Sequence, residues 1–122
     1  MPPPKHRHPI ARTPAPAQAP QPYPVQMLHS AAATILQRGQ ERDTSADGQQ
    51  QERSMAATVA AFNAIEGTAL TERQGWAFMQ TLKLVRAANT ARNGRYNPDD
   101  YLDGAAYAAL GAEAAAAQGG QQ

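Results

Sequence analysis

Apolar residues recur at helical spacing in four segments of the chain, and polar or turn-forming residues separate these segments. Spacings of three and four residues predict amphipathic helices, whereas no segment shows the alternation of a β-strand. The predicted helices span residues 26–38, 50–66, 72–89 and 98–117. The pattern therefore predicts an all-α fold with a four-helix bundle-like body.

Each predicted helix has an apolar face that we expect to lie in the core, and Trp76 is expected there too. The fourth helix is rich in Gly and Ala, which favours close packing in the bundle or across a dimer, although Ala is also the best helix former. Few large apolar residues are available, so we expect a thin core supplemented by homodimerisation. The predicted faces are Leu28, Ala32, Ile35 and Leu36; Met55, Val59, Phe62 and Ile65; Phe78, Met79, Leu82 and Val85; and Leu102, Ala106, Ala109 and Leu110.

Helix ends are marked by residues that cap helices. Gly67 is expected to end the second helix, and Thr71 with Gln74 predicts a capping box at the third. Asn97 and Pro98 predict the start of the fourth. A polar loop is predicted over residues 39–49. Its surrounding charges are interpreted as a solvated group: Arg38, Glu41, Arg42, Asp43 and Asp47.

The N-terminal segment has a different composition from the rest. Nine of the ten prolines lie in the first 24 residues, together with Lys5, Arg7 and Arg12 and no acidic residue. Such a composition predicts a disordered, basic, Pro/Ala/Gln-rich arm over residues 1–25. A helical domain is predicted over residues 26–117, and a flexible end over 118–122.

Charge and composition exclude several classes of function. Outside the arm, eight basic residues stand against ten acidic residues, which argues against general nucleic-acid binding. The chain has no cysteine, so disulfides and thiolate metal sites are excluded. No apolar run is long enough for a membrane span or a secretory signal. We expect an intracellular protein with no membrane partner.

Carboxylates at the start of the fourth helix are the first candidate site. Asp100, Asp103 and Tyr107 share one flank of the helix, with Asp103 at the edge of the apolar face and Asp99 nearer that face. Two carboxylates three residues apart can share Mg²⁺, and Glu52 is a speculative third ligand. In the alternative interpretation, the negative charges of Asp99 and Asp100 interact favourably with the dipole at the start of the helix, and Asp103 pairs with an arginine.

Basic residues on the third helix supply the opposite charge. Lys83 and Arg86 are three residues apart, and Arg95 follows in the next turn. They predict either a phosphate-binding group or a salt bridge from Arg86 to Asp103, and the two are compatible. His29 has no partner at metal-ligand spacing and is expected on the surface.

Several segments resemble a group of short phage-encoded proteins of uncharacterised function. The resemblance covers about residues 28–115 and is carried by Leu-Lys-Leu-Val-Arg at 82–86 and by Asp-Tyr-Leu-Asp-Gly-Ala-Ala-Tyr-Ala-Ala-Leu at 100–110. More distantly, the pattern is similar to the MazG-like all-α nucleotide pyrophosphohydrolases, which are helical bundles, often dimeric, that use Mg²⁺. Their Glu-x-x-Asp motif maps onto Asp100 and Asp103. Their Glu-Glu-x-x-Glu motif has no match, because Glu52 is followed by Arg53.

Three functions follow as expectations. The first is a phage accessory protein that binds a phosphorylated nucleotide or nucleotide-like signal through Lys83, Arg86, Arg95, Asp100, Asp103 and Tyr107, by sequestration. The second is a Mg²⁺-dependent MazG-like pyrophosphohydrolase, so enzyme activity stays open. The third is a virion-associated or adaptor protein that docks a partner through its Pro-rich arm. The resemblance implies action in the cytoplasm of the bacterial host, or in the virion.

Overall fold

The computed structural model describes residues 21–42 and 54–119, with only the backbone at Arg42. Within these ranges the chain forms four α-helices and no strand, which confirms the predicted all-α fold. The helices are α1 (Tyr23–Arg42), α2 (Ser54–Glu66), α3 (Glu72–Arg92) and α4 (Pro98–Gly119).

The capping residues act as predicted. Gly67 ends α2 with a positive φ of 70° and donates its N–H to the Asn63 carbonyl at 2.8 Å. Thr71 and Gln74 form the capping box of α3. At α4 the Asn97 carboxamide oxygen accepts from the Asp99 N–H at 3.1 Å.

Two boundaries differ from the prediction. The helix α1 continues through Arg42, so the predicted loop from residue 39 is wrong for its first four residues, because buried Gly39 does not end the helix. The same helix begins at Tyr23, three residues before the predicted start at about residue 26, and the Tyr23 hydroxyl hydrogen-bonds that of Tyr96. The predicted arm over residues 1–20, the loop over 43–49 and the first residues of the second predicted helix lie outside the described residues.

The helices α3 and α4 form the main packing unit, because a short turn joins them and they contact each other along their length. The helix α1 packs across α4, and α2 packs chiefly on α3. Small residues bring α3 and α4 together: Gly111 lies against Trp76, and Gly104 against Lys83. The close packing predicted for α4 is therefore present within the bundle.

The core is small and centred on Trp76. It contains Met55, Trp76, Leu110 and Ala114, with Ile35, Val59, Met79 and Tyr107 packed around them. Within the described residues, no helix has the length and apolar character to cross a membrane.

For eight residues of the predicted apolar faces, the prediction of a core position is wrong. They are exposed because the neighbouring helices cover only part of each apolar face: Leu28, Ala32, Leu36, Phe62, Ile65, Phe78, Val85 and Ala109.

Candidate functional site

Asp103 lies where α1, α3 and α4 meet. Lys83 Nζ of α3 contacts its Oδ2 at 2.9 Å, and Arg38 Nη2 of α1 contacts its Oδ1 at 3.2 Å. The side chains of Lys83 and Asp103 are only 13% and 16% exposed. A charge removed from water in this way requires charged partners, and Asp103 has one on each oxygen. The ion pairs therefore hold three helices at one carboxylate.

Aromatic rings connect this ion-pair group to the core. The Arg38 guanidinium carbon lies 5.8 Å from the centre of the Tyr107 ring. Tyr107 in turn stacks on Trp76, with ring centres 5.7 Å apart and planes 24° apart. Cation–π attraction and stacking each fix orientation as well as adding contact area. Arg38 is thus held from two sides, by Asp103 and by Tyr107.

Asp100 has a different environment, although it lies one turn earlier on the same helix. It is only 6% exposed. Among the described residues, no group donates a hydrogen bond to its carboxylate, while its backbone N–H donates to the Asn97 carbonyl. No fully enclosed polar atom is left without a partner in the described part of the chain, so the Asp100 oxygens keep some contact with solvent. This buried carboxylate is available to a ligand that can donate hydrogen bonds.

A cavity of about 210 Å³ lies between α3 and α4, and Asp100 is one of its lining residues. Lys83 and Asp100 are its two charged lining residues. Gly104, Ala105 and Ala108 leave the space open because their side chains are small or absent. The remaining lining residues are Gln80, Leu84, Ala87 and Tyr101. The cavity thus combines one cation and one carboxylate with mostly apolar walls, which is the composition of many small-molecule sites.

A row of three contacting tyrosines begins at this cavity. Tyr101 lines it and packs at 5.8 Å, centre to centre, against Tyr96, whose hydroxyl is 2.5 Å from that of Tyr23 on α1. The hydrogen bond with Tyr23 raises the pKa of Tyr96 to about 12. Because the folded-state pKa lies above the ordinary value of 10, this contact stabilises the fold fully below pH 10 and is lost as the pH rises through about 12. The start of α1 is thereby fixed beside the cavity.

The structure brings together four of the predicted ligand residues: Lys83, Asp100, Asp103 and Tyr107. Arg86 and Arg95 are exposed and do not line the cavity. The predicted salt bridge from Arg86 to Asp103 is wrong, because the partners of Asp103 are Lys83 and Arg38.

Two further interpretations need correction. Asp99 was expected nearer the apolar face, but it is exposed and Asp100 is buried, because α4 turns Asp100 toward α3. Arg38 was assigned to a solvated loop, but it lies on α1 and contacts the site. The signal was its position three residues after Ile35 and seven after Ala31, on the face that packs inward.

The predicted Mg²⁺ site lacks support among the described residues. Asp103 is already engaged by two cations, and Glu52 lies outside the described residues. No group of three His, Cys, Asp or Glu side chains in residues 21–41 and 54–119 is arranged to hold a metal ion. The donors present do not fit a hard divalent cation, which requires several oxygen ligands. His29 is exposed, as expected.

Comparisons with known proteins give no relative: no family model, curated protein or solved structure matches this chain.

Proposed function

We propose that this protein binds a phosphorylated nucleotide or nucleotide-like signal at the cavity between α3 and α4, and acts by sequestering it. The observation that supports this proposal best is Asp100, a carboxylate that is 6% exposed, lacks a donor among the described residues and lines an open cavity. Its oxygens keep contact with solvent, and a ligand with hydrogen-bond donors would replace that water and pair with the carboxylate.

The cavity residues suit different parts of such a ligand. Asp100 would accept hydrogen bonds from sugar hydroxyls or from an amino group of a base, and Tyr101 offers an aromatic face. Lys83 would attract phosphate, because it lines the cavity and its ammonium group has donors beyond the one used on Asp103. Asp103 would act as a positioning residue that holds Lys83 in place.

The size of the cavity limits how much of a ligand it encloses. A volume of about 210 Å³ is below the roughly 300–1,000 Å³ of typical ligand pockets, so one ring or the sugar would be enclosed. The remaining groups would extend over the surface. Arg86 and Arg95 are exposed outside the lining, and they would meet phosphates that extend beyond it. Tyr107 would contribute indirectly, through Arg38.

The biological setting is part of the same proposal. As a phage accessory protein, it would act in the cytoplasm of the bacterial host and remove a nucleotide signal there. Sequestration requires tight binding and no chemical step. This agrees with an Asp103 that is already ion-paired and with the lack of a metal-ligating group of side chains among the described residues. Formation of a homodimer, or binding of a partner protein to the Pro-rich arm, would leave this site unchanged, because the cavity is formed within one chain.

Binding is tested with the full chain and a panel of nucleotides, with and without Mg²⁺, by thermal shift and then by titration calorimetry. We expect at least one phosphorylated nucleotide to raise the melting temperature. Asp100→Asn should weaken its binding by about 10–100-fold, because a charged hydrogen-bond acceptor is lost. Asp99→Asn is the matched control, since Asp99 is the neighbouring exposed carboxylate, and it should bind as the parent chain does.

Two results would contradict the proposal: no nucleotide binds, or the Asp99 and Asp100 variants lose affinity equally. The same samples separate binding from turnover. Mg²⁺-dependent release of pyrophosphate that Asp103→Ala abolishes would replace sequestration with the hydrolase alternative.

A further inference from the structure

The helix α2 is apolar on nearly its whole circumference, yet most of its packing in the single chain is with α3. Its 13 residues include one charged side chain, Glu66, at the last position. A helix that is hydrophobic all round is normally buried on all sides. The helix α2 has only Met55 buried. Within the described residues, most of its apolar surface is therefore left uncovered.

The uncovered surface includes a groove of about 320 Å³ between α2 and α3. No charged residue lines it. Phe62 and Phe78 stand beside it at 46% and 71% exposure, and Ile65, 79% exposed, extends the same stripe of α2. Both phenylalanines of the chain are thus on this surface and not in the core. We call this surface the α2–α3 face; its groove is lined by Met55, Thr58, Val59, Phe62, Leu70, Gln74, Gly75, Phe78 and Met79.

We infer that the α2–α3 face is the interface of a symmetric homodimer, with a second copy of this chain as its occupant. A twofold interface requires one surface to fit itself. The α2–α3 face offers both parts of such a fit, since Phe78 lines the groove, is 71% exposed, and the groove volume is large enough to receive an aromatic side chain from the partner. In the dimer each Phe78 enters the groove of the other copy.

Charge selects a second copy over a charged peptide. The groove lining is uncharged, and a second α2–α3 face is uncharged as well, so neither copy would bury an unpaired charge. An acidic or basic partner segment would find no counter-charge in the groove.

The exposed area is also of the required size. A phenylalanine has about 150–250 Å² of surface, so the exposed parts of Phe62 and Phe78 together amount to roughly 200 Å². Ile65, Leu70 and the groove walls add to this patch. Stable dimers bury about 800 Å² per partner, of which roughly two-thirds is apolar in homodimers. The face thus supplies a large share of the apolar area that an interface needs, more than scattered surface residues supply.

Sedimentation velocity of the full chain over a wide concentration range tests this inference. We expect a monomer–dimer equilibrium for the parent chain. Phe78→Glu should weaken dimerisation by about 100-fold or more, because it buries two unpaired carboxylates in a symmetric interface. Leu36→Glu is the matched control. Leu36 lies on α1, outside the face, and its exposed fraction of 64% is similar to the 71% of Phe78. It should dimerise as the parent does, and circular dichroism should show both variants folded.

A cross-linking experiment reports on the location of the interface without a disruptive charge. The chain has no cysteine, so Ile65→Cys introduces a single thiol on the face, and Leu36→Cys introduces one elsewhere. A short bismaleimide should join two copies of the Ile65 variant and leave the Leu36 variant as single chains.

Three results would overturn the inference. One is a parent chain that stays monomeric at the highest concentration reached. Another is a dimer that Phe78→Glu leaves intact or that Leu36→Glu disrupts equally. The third is a chain that dimerises only after residues 1–20 are deleted, which would assign the α2–α3 face to the arm of the same chain.

Discussion

Two aspartates one turn apart on α4 show how strongly the environment of a residue decides its role. Asp103 has a cation on each oxygen, whereas Asp100 is buried more deeply and has no donor among the described residues. Only the first contributes an ion-pair energy to the fold. The second keeps oxygens that accept no hydrogen bond from the described residues, which is why the proposed ligand site is centred on it.

The stabilities of two amide variants should therefore differ. Asp103→Asn removes the charge that holds Lys83 and Arg38 and leaves two mostly buried cations unpaired, so we expect it to lower the free energy of unfolding by about 2–4 kcal/mol. Asp100→Asn weakens a favourable interaction with the helix dipole but breaks no side-chain hydrogen bond or ion pair among the described residues, so it should change stability by less than about 1 kcal/mol. Urea denaturation at neutral pH measures both. Equal losses of unfolding free energy in the two variants would contradict the structural role given to Asp103 alone.

The residues of the site were predictable where one helix contained the information. The spacing along α4 predicted that Asp103 and Tyr107 share a flank, and both now contact Arg38. Which cation of α3 pairs with Asp103 was not predictable. Lys83 and Arg86 lie one turn apart on the same helix, and only the rotation of α3 against α4 brings Lys83 to the carboxylate. Arg38 was missed because Gly39 suggested a helix end, and tertiary packing overrode that local preference.

At the scale of the helix, capping chemistry predicted where several helices begin and end, and periodicity predicted their number. Neither could predict which apolar positions face the core. Phe62 and Phe78 have the periodicity of core residues, yet they line an exposed groove. An apolar stripe records that a surface is to be buried, but it carries no information on whether the neighbour belongs to the same chain.

Two glycines on neighbouring helices should respond oppositely to alanine. A Cβ at Gly75 would lie 2.9 Å from Val59 Cγ1 and would also overlap Met55, so Gly75→Ala should push α2 from α3 and cost about 1–2 kcal/mol. A Cβ at Gly104 would meet Lys83 Cβ at an ordinary 3.8 Å, so Gly104→Ala should gain about 0.5–1 kcal/mol of helix stability. Thermal and urea unfolding measure both. A Gly75→Ala variant as stable as the parent would show that α2 is loosely seated.

Across the whole molecule, the helices differ in how extensively they are packed, and we expect this to make their local stabilities unequal. The α3–α4 pair supplies most of the core and lines the cavity, and α1 is joined to it at Arg38 and Tyr23. The helix α2 is attached mainly through one face to α3. Free energies of local opening follow such differences, because a segment with few buried contacts opens without disrupting the rest. The proposed ligand site and the proposed dimer face therefore belong to parts of unequal stability.

Hydrogen exchange should reveal this inequality and connect it to assembly. In dilute protein we expect α2 amides to exchange faster than those of α3 and α4, since α2 can separate without breaking the Asp103 ion pairs. If the second copy covers α2, its opening requires dissociation. At a total concentration of about 100 times the dimer dissociation constant, mass action leaves roughly 7% of the chains monomeric, so exchange in α2 should slow by about 15-fold, while α4 changes less. Mass spectrometry over a dilution series measures this. Phe78→Glu is the control and should remove the concentration dependence. Exchange in α2 as slow as in α4 at every dilution would instead mean that α2 is already covered within a single chain.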